Sequence, residues 1–186
     1  MYQKLSGVAY VQGMNELMAT IFWVVSKLPE DADSEALAFF AFLELMIDFR
    51  VLYEKECDSS QLGINAMMYS VRETVVKAAP LLARHLDSLA IEPILWAFRP
   101  ATCLFAQDFL LPDVLVVWDR MLVAEDKIQF LVCALASIAL VKADELITFG
   151  FAECMKSLQN VADVDVASVL RQTDRLQPTP SHLREK

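Results

Sequence analysis

Apolar residues recur at every third or fourth position along almost the whole chain, and nowhere do they alternate as they would along a half-buried strand. Tyr10, Met14, Leu17, Ile21, Val24 and Val25 form one such stripe. A longer one runs through "SEALAFFAFLELMIDFRVLYEK", Ser34 to Lys55, entered from the acidic linker "PEDAD". Asp58 followed by Gln61 has capping-box spacing ahead of a helix through Met67 and Val71. Pro80, Pro93 and Pro112 each suit a first helical turn, where an N–H is not needed. Pro100 predicts a kink or break after Arg99. Asp126 with Gln129 caps the apolar run "IQFLVCALASIALV", and a last helix is expected from about Asp163 to Thr173. The expected fold is all-α: an irregular multi-helix array of about eight or nine helices with no sheet, over residues 1–176. Residues 177–186, polar and rich in proline, form a flexible tail in this reading.

One stretch breaks the pattern. In "GVAYVQGMNELMATIFWVVS", Gln12 and Gly13 stand side by side at the start of an otherwise apolar helix. Glycine inside a helix costs roughly 1 kcal/mol relative to alanine, and a glutamine among core residues needs hydrogen-bond partners or an open surface. Two readings are open from these residues. Gln12 satisfies a helix terminus while Gly13 packs closely against a neighbour, or Gln12 leaves the core to face something outside. The helical spacing puts Tyr10 and Met14 on the buried face and Gln12 about 200° round from Tyr10, hence exposed.

Composition narrows the function classes. The run between Lys127 and Lys142 is 14 residues long, where a spanning helix needs about 20, so it reads as a core helix. Met1 opens directly onto polar residues, with no pattern of a signal or transit peptide. A mean hydropathy of +0.39 with 56% apolar content implies apolar surface meant for more protein. Lys+Arg 16 against Asp+Glu 25 gives a net charge of −9, with basic residues scattered singly. Nucleic acid and anionic membrane are poor partners for such a chain. Cys57, Cys103, Cys133 and Cys154 lie far apart without any C-x-x-C, and three of them, in apolar helical runs, read as small core residues in a reducing, cytosolic setting. Gly7, Gly13, Gly63 and Gly150 are all the glycines there are, too few for a P-loop or dinucleotide fingerprint. His85 and His182 have no glutamate three residues before them, and leave little for nucleophilic catalysis. No cofactor or metal is expected.

"YVQGMNEL" resembles the Y-x-Q-G motif of the TBC domain family of Rab GTPase-activating proteins. The similarity continues through "FFAFLELM", "DSSQLGI" and "PILWAFRPATCLFAQDFLLPDVLVVWDRM" to about residue 176. The resemblance implies a protein that is not itself an enzyme but accelerates GTP hydrolysis by a GTP-bound Rab partner. Its glutamine orients the attacking water, and an arginine from an earlier I-x-x-D-x-x-R motif compensates charge on the phosphoryl oxygens. Carried onto this chain, the glutamine finger is Gln12. Tyr10 holds the loop-to-helix turn, Gly13 allows close backbone approach to the GTPase, and Met14 and Asn15 continue that edge. Trp118 is assigned to the core and Asp119 to a buried or capping acceptor. The implied location is cytoplasmic, peripheral to vesicle membranes through the GTPase.

Two departures qualify what the resemblance implies. Pro100 stands where the family's frequent R-W pair has tryptophan after an arginine such as Arg99. None of the arginines at 50, 72, 84, 99, 120, 171, 175 and 184 has an aspartate three residues earlier. The expectation is therefore a domain lacking its arginine-finger segment, a weak activator alone, with exposed apolar surface that promotes self-association. A Rab-binding module without acceleration, or a general helical scaffold, are the alternatives.

Overall fold

The computed structural model describes residues 10–29, 33–53 and 63–177. Among these the chain is entirely helical, with α1 (Met14–Val25), α2 (Ser34–Phe49), α3 (Ile64–Ala78), α4 (Pro80–Ser88), α5 (Phe98–Thr102), α6 (Leu111–Leu122), α7 (Lys127–Val141), α8 (Ala143–Leu146), α9 (Phe151–Gln159) and α10 (Val166–Leu176). Two 3₁₀ turns, Arg50–Leu52 and Pro93–Leu95, come after α2 and α4 respectively. Of the ten helices α5 and α8 are little more than single turns.

The axis of the fold is α7. Every residue from Phe130 to Ala139 is buried, so this stretch of the helix has no solvent face and must be enclosed by others. α3 and α10 flank it, and α2, α5 and α6 complete the enclosure. Each fully buried Leu, Ile or Phe contributes roughly 1.5–3 kcal/mol by leaving water, which makes this helix the main source of cohesion. Several polar groups in the shell are partnered. Ser137 Oγ donates to Cys133 O at 2.7 Å and lies 3.2 Å from Thr173 Oγ1 of α10. Arg120 of α6 reaches Asp174 of α10 at 2.6 Å, and Lys127 of α7 reaches Asp48 of α2 at 3.1 Å.

Helix starts follow the chemistry of the residues before them. Asp126 accepts from Gln129 N at 2.8 Å, and Asp33 from Ala36 N at 3.0 Å, each cap being worth about 1 kcal/mol. Pro80 opens α4, Pro93 its 3₁₀ turn, and Pro112 lies in the first turn of α6. Pro100 does not break the chain after Arg99. It sits third in α5, where the first-turn N–H has no partner to lose, and the helix ends after Thr102. The last helix starts at Val166, because Asp165, rather than Asp163, accepts from Ala167 N and Ser168 N. The Asp58–Gln61 pair lies outside the described residues, and α3 itself begins after Gly63.

α1 and α2 pack chiefly on one another. Their remaining faces leave Phe22, Trp23, Leu37, Phe39, Phe40 and Ile47 exposed, Phe40 at 59%. Between them runs a cleft of about 530 Å³.

Candidate functional site

The residues Val11 to Met14 form a tight turn, closed by Met14 N–H donating to Val11 O at 3.1 Å. Gln12 and Gly13 are its central pair. Gly13 has φ 108° and ψ −21°, a left-handed conformation at the third position that glycine adopts without strain. Glu16 N donates to Gly13 O at 3.0 Å, so the turn runs directly into α1. Gln12 projects from the turn into solvent, while Gly13 and Met14 are buried, Met14 at 7%.

The apolar stripe does not extend back to Tyr10, contrary to its spacing. Tyr10 is 70% exposed, because the helix begins only at Met14 and Tyr10 lies before the turn, outside the helical register. It still ties the turn together from outside. Tyr10 Oη donates to Asn15 Oδ1 at 3.1 Å, and Asn15 Nδ2 donates to Glu16 Oε1 at 3.0 Å. Tyr10, Gln12 and Asn15 thus form one solvent-facing rim. Gly13 and Met14, expected at a partner-facing edge, point into the chain's own core instead and hold the rim from below.

Beneath the rim lies a segment that spacing does not reveal. A Cβ on Gly13 would lie 2.8 Å from Cys103 Sγ. Cys103 follows α5, and the next two residues, Leu104 and Phe105, are left-handed without being glycine, with φ 45° and 65°. Such conformations cost about 1–3 kcal/mol each and persist where the surroundings enforce them. Here Tyr53 Oη donates to Thr102 O at 2.6 Å, and Trp118 Nε1 donates to Leu104 O at 2.8 Å. Burial, the main cause, raises the Tyr53 hydroxyl and the Cys103 thiol above their ordinary values, so both stay protonated. Nearby, Arg99 Nη2 donates to Asp108 Oδ1 at 2.7 Å, while Asp108 Oδ2 is buried without a partner. Burial raises the Asp108 carboxyl and Arg99 opposes that shift.

Trp118 is a core residue, as its place in the apolar stripe of α6 implies. Asp119 is neither buried nor a cap, contrary to expectation. It is exposed in the last turn of α6, about 100° round from Trp118 and away from the buried stripe.

Chemically, Gln12 offers one acceptor and two donors on an uncharged side chain, suited to orienting a water rather than taking its proton. Among the described residues no three ligand-type side chains converge on a metal site, and no helix is long and apolar enough to cross a membrane.

Comparison with known proteins agrees with this architecture. The model of the Rab-GTPase-TBC domain matches residues 2–147. TBC1 domain family member 13 of Homo sapiens is 33% identical over 180 residues, covering 95% of this chain and 45% of its own length. A TBC domain-containing protein of Schizosaccharomyces pombe, C1952.17c, is 34% identical over 203 residues, covering 99% of this chain and 32% of its own. The chain thus spans less than half the length of these relatives. The crystal structure of the Ypt/Rab-GAP domain of Gyp1p superposes with a TM-score of 0.77 at 21% identity, over 94% of this chain and 60% of that one. With a family model matched across most of its length and relatives at a third identity along nearly all of it, the chain belongs to the Rab-GTPase-TBC domain family.

Proposed function

We propose that this chain is a GTPase-activating module for a GTP-bound Rab-type small GTPase, and that Gln12 is the group it inserts at the partner's nucleotide. The observation that carries this reading is the exposed Gln12 amide on a turn fixed from below by Gly13 and Met14 and from outside by the Tyr10–Asn15 hydrogen bond. A side chain meant only to cap a helix would be turned toward the backbone, and Gln12 is not the cap of α1, a place Gly13 holds. In this reading the Gln12 carbonyl accepts from the attacking water and its NH₂ helps to hold that water in line with the γ-phosphorus. Tyr10 and Asn15 form the partner-facing rim, while Gly13 and Met14 set its height.

The positive charge that the transition state requires has no matching residue in these 186, since none of the arginines follows the D-x-x-R pattern. We assign it to a segment outside them. An arginine finger supplies about 10³–10⁵ in rate, roughly 4 to 7 kcal/mol, so the chain alone should be a weak activator. That same missing pattern is the one observation favouring the second reading, a Rab-binding module without acceleration. The exposed aromatic face of α1 and α2 is where we place self-association of the isolated chain. The protein would be peripheral to vesicle membranes, held there by its GTPase.

The test is single-turnover GTP hydrolysis by a panel of GTP-loaded Rab proteins, with the chain alone and with a TBC arginine-bearing segment fused to it. The expected result is little acceleration alone and about 10³-fold or more for at least one Rab once the arginine is supplied. Acceleration of none in either form would overturn the reading.

A further inference from the structure

We infer that Cys103 is a positioning residue for Gln12, acting through Gly13. The inference deepens the proposed function and rests on it. Cys103 Sγ lies 2.8 Å from the position that a Cβ of residue 13 would take, so the thiol faces the turn at its one residue without a side chain. Among the described residues no other heavy atom outside the immediate chain neighbours lies within 4 Å of that position. The thiol is therefore the floor on which the Gln12–Gly13 turn rests.

That floor is held from both sides. The carbonyl before Cys103, Thr102 O, accepts from Tyr53, and the carbonyl after it, Leu104 O, accepts from Trp118. These anchors come from residues 49 and 14 positions away in the chain, so two separate parts of the fold fix one peptide segment. Beyond it, Leu104 and Phe105 are left-handed and fully buried, a local strain that a loop with no positional duty would relax. Phe105 N–H donates back to Pro100 O at 2.9 Å and Ala106 N–H to Cys103 O at 2.8 Å, closing the segment on itself.

A path of contact therefore leads from the core to the exposed amide. Tyr53 and Trp118 fix the segment, the segment fixes Sγ, and Sγ fixes the height of Gly13 and with it Gln12. A displacement of about 1 Å in a positioning element can cost about a hundredfold in rate. The thiol has the right size for this role, because Ala would leave a gap under the turn and Ser nearly refills it. Its protonated state suits it too: it serves as a contact surface and not as a nucleophile.

The experiment measures single-turnover hydrolysis and Rab affinity in parallel, in the arginine-supplied protein, with folding verified by circular dichroism. The variants are Gln12→Ala, Cys103→Ala, Cys103→Ser and Tyr53→Phe. Cys103→Ala is expected to lower the rate by about tenfold to a hundredfold with Rab affinity within about twofold. Cys103→Ser should return the rate to within about threefold of the parent, and Tyr53→Phe should fall between. If Gln12→Ala slows hydrolysis but Cys103→Ala does not, the positioning role is wrong and the proposed function stands. Loss of rate and affinity together in Cys103→Ala would also overturn the role, since it would mark a general structural defect. If Gln12→Ala itself has no effect, the proposed function fails and the inference with it.

Discussion

Replacing Gly13 by alanine perturbs the turn in two separable ways. The backbone at φ 108°, ψ −21° is one that an L-residue occupies at a cost of about 1–3 kcal/mol. The new Cβ would also lie 2.8 Å from Cys103 Sγ, well inside van der Waals contact. Sγ has little freedom to yield, because the carbonyls on either side of its residue are hydrogen-bonded to Tyr53 and Trp118. Overpacking of this kind costs about 1–3 kcal/mol. The restricted unfolded chain of an alanine variant offsets about 0.4–1 kcal/mol. The net expectation for Gly13→Ala is a loss of about 1–5 kcal/mol from a total stability that for such domains is about 5–15 kcal/mol. Urea denaturation followed by circular dichroism measures it as a lowered midpoint at unchanged slope. The double variant Gly13→Ala/Cys103→Ala should recover the overpacking part and not the backbone part. A single variant within about 0.5 kcal/mol of the parent would show that neither the left-handed backbone nor the Cys103 contact constrains this position. Complete recovery in the double variant would show that the backbone conformation is not a constraint.

The Asp108 carboxyl titrates above its ordinary 3.8 because it is buried, with Arg99 opposing; its native form keeps the proton longer than the unfolded chain, so its contribution to stability is full below 3.8 and is lost as pH rises through the raised value. Asp108→Asn should remove that decline from the melting temperature measured against pH, and an unchanged profile would count against it. Lys142 Nζ donates to the carbonyls of Ser157 and, at 2.8 Å, Asn160, so Lys142→Met should cost about 1–3 kcal/mol in a urea titration, and no loss would show that water replaces the lysine. Phe40→Ser, at an exposed aromatic position on α2, should reduce self-association of the isolated chain in light scattering at high concentration, and an unchanged particle size would place the contact elsewhere.

How much of this can be read from the residues depends on how local the cause is. The burial of α7 is legible because its apolar run is continuous, and its start because Asp126 precedes Gln129 by the capping distance. The Gln12–Gly13 irregularity is legible as well, since a polar residue and a glycine at the head of an apolar helix conflict with packing. Its consequence for Tyr10 is not. A three-and-four spacing extends smoothly back to residue 10, and only the left-handed Gly13 shows where the helical register stops. Asp119 misleads in a similar way, because its neighbour Trp118 is buried and adjacency in a helix means a different face. The platform under the turn is beyond the reach of sequence. Cys103 lies far along the chain from Gly13, and its place depends on Tyr53 and Trp118 meeting two backbone carbonyls, a tertiary fact with no local pattern.

The central claim is that Gln12 acts in the transition state of a partner's GTP hydrolysis and not in holding the partner. It is tested most directly by Gln12→Ala in the arginine-supplied protein, measured against a Rab that the parent accelerates. Single-turnover hydrolysis and equilibrium binding to the GTP-loaded Rab are recorded on the same preparation. A rate lowered by about a hundredfold or more with affinity within about twofold is expected, the signature of an interaction made only in the transition state. An unchanged rate, or a fall in affinity that accounts for the whole loss, would contradict it.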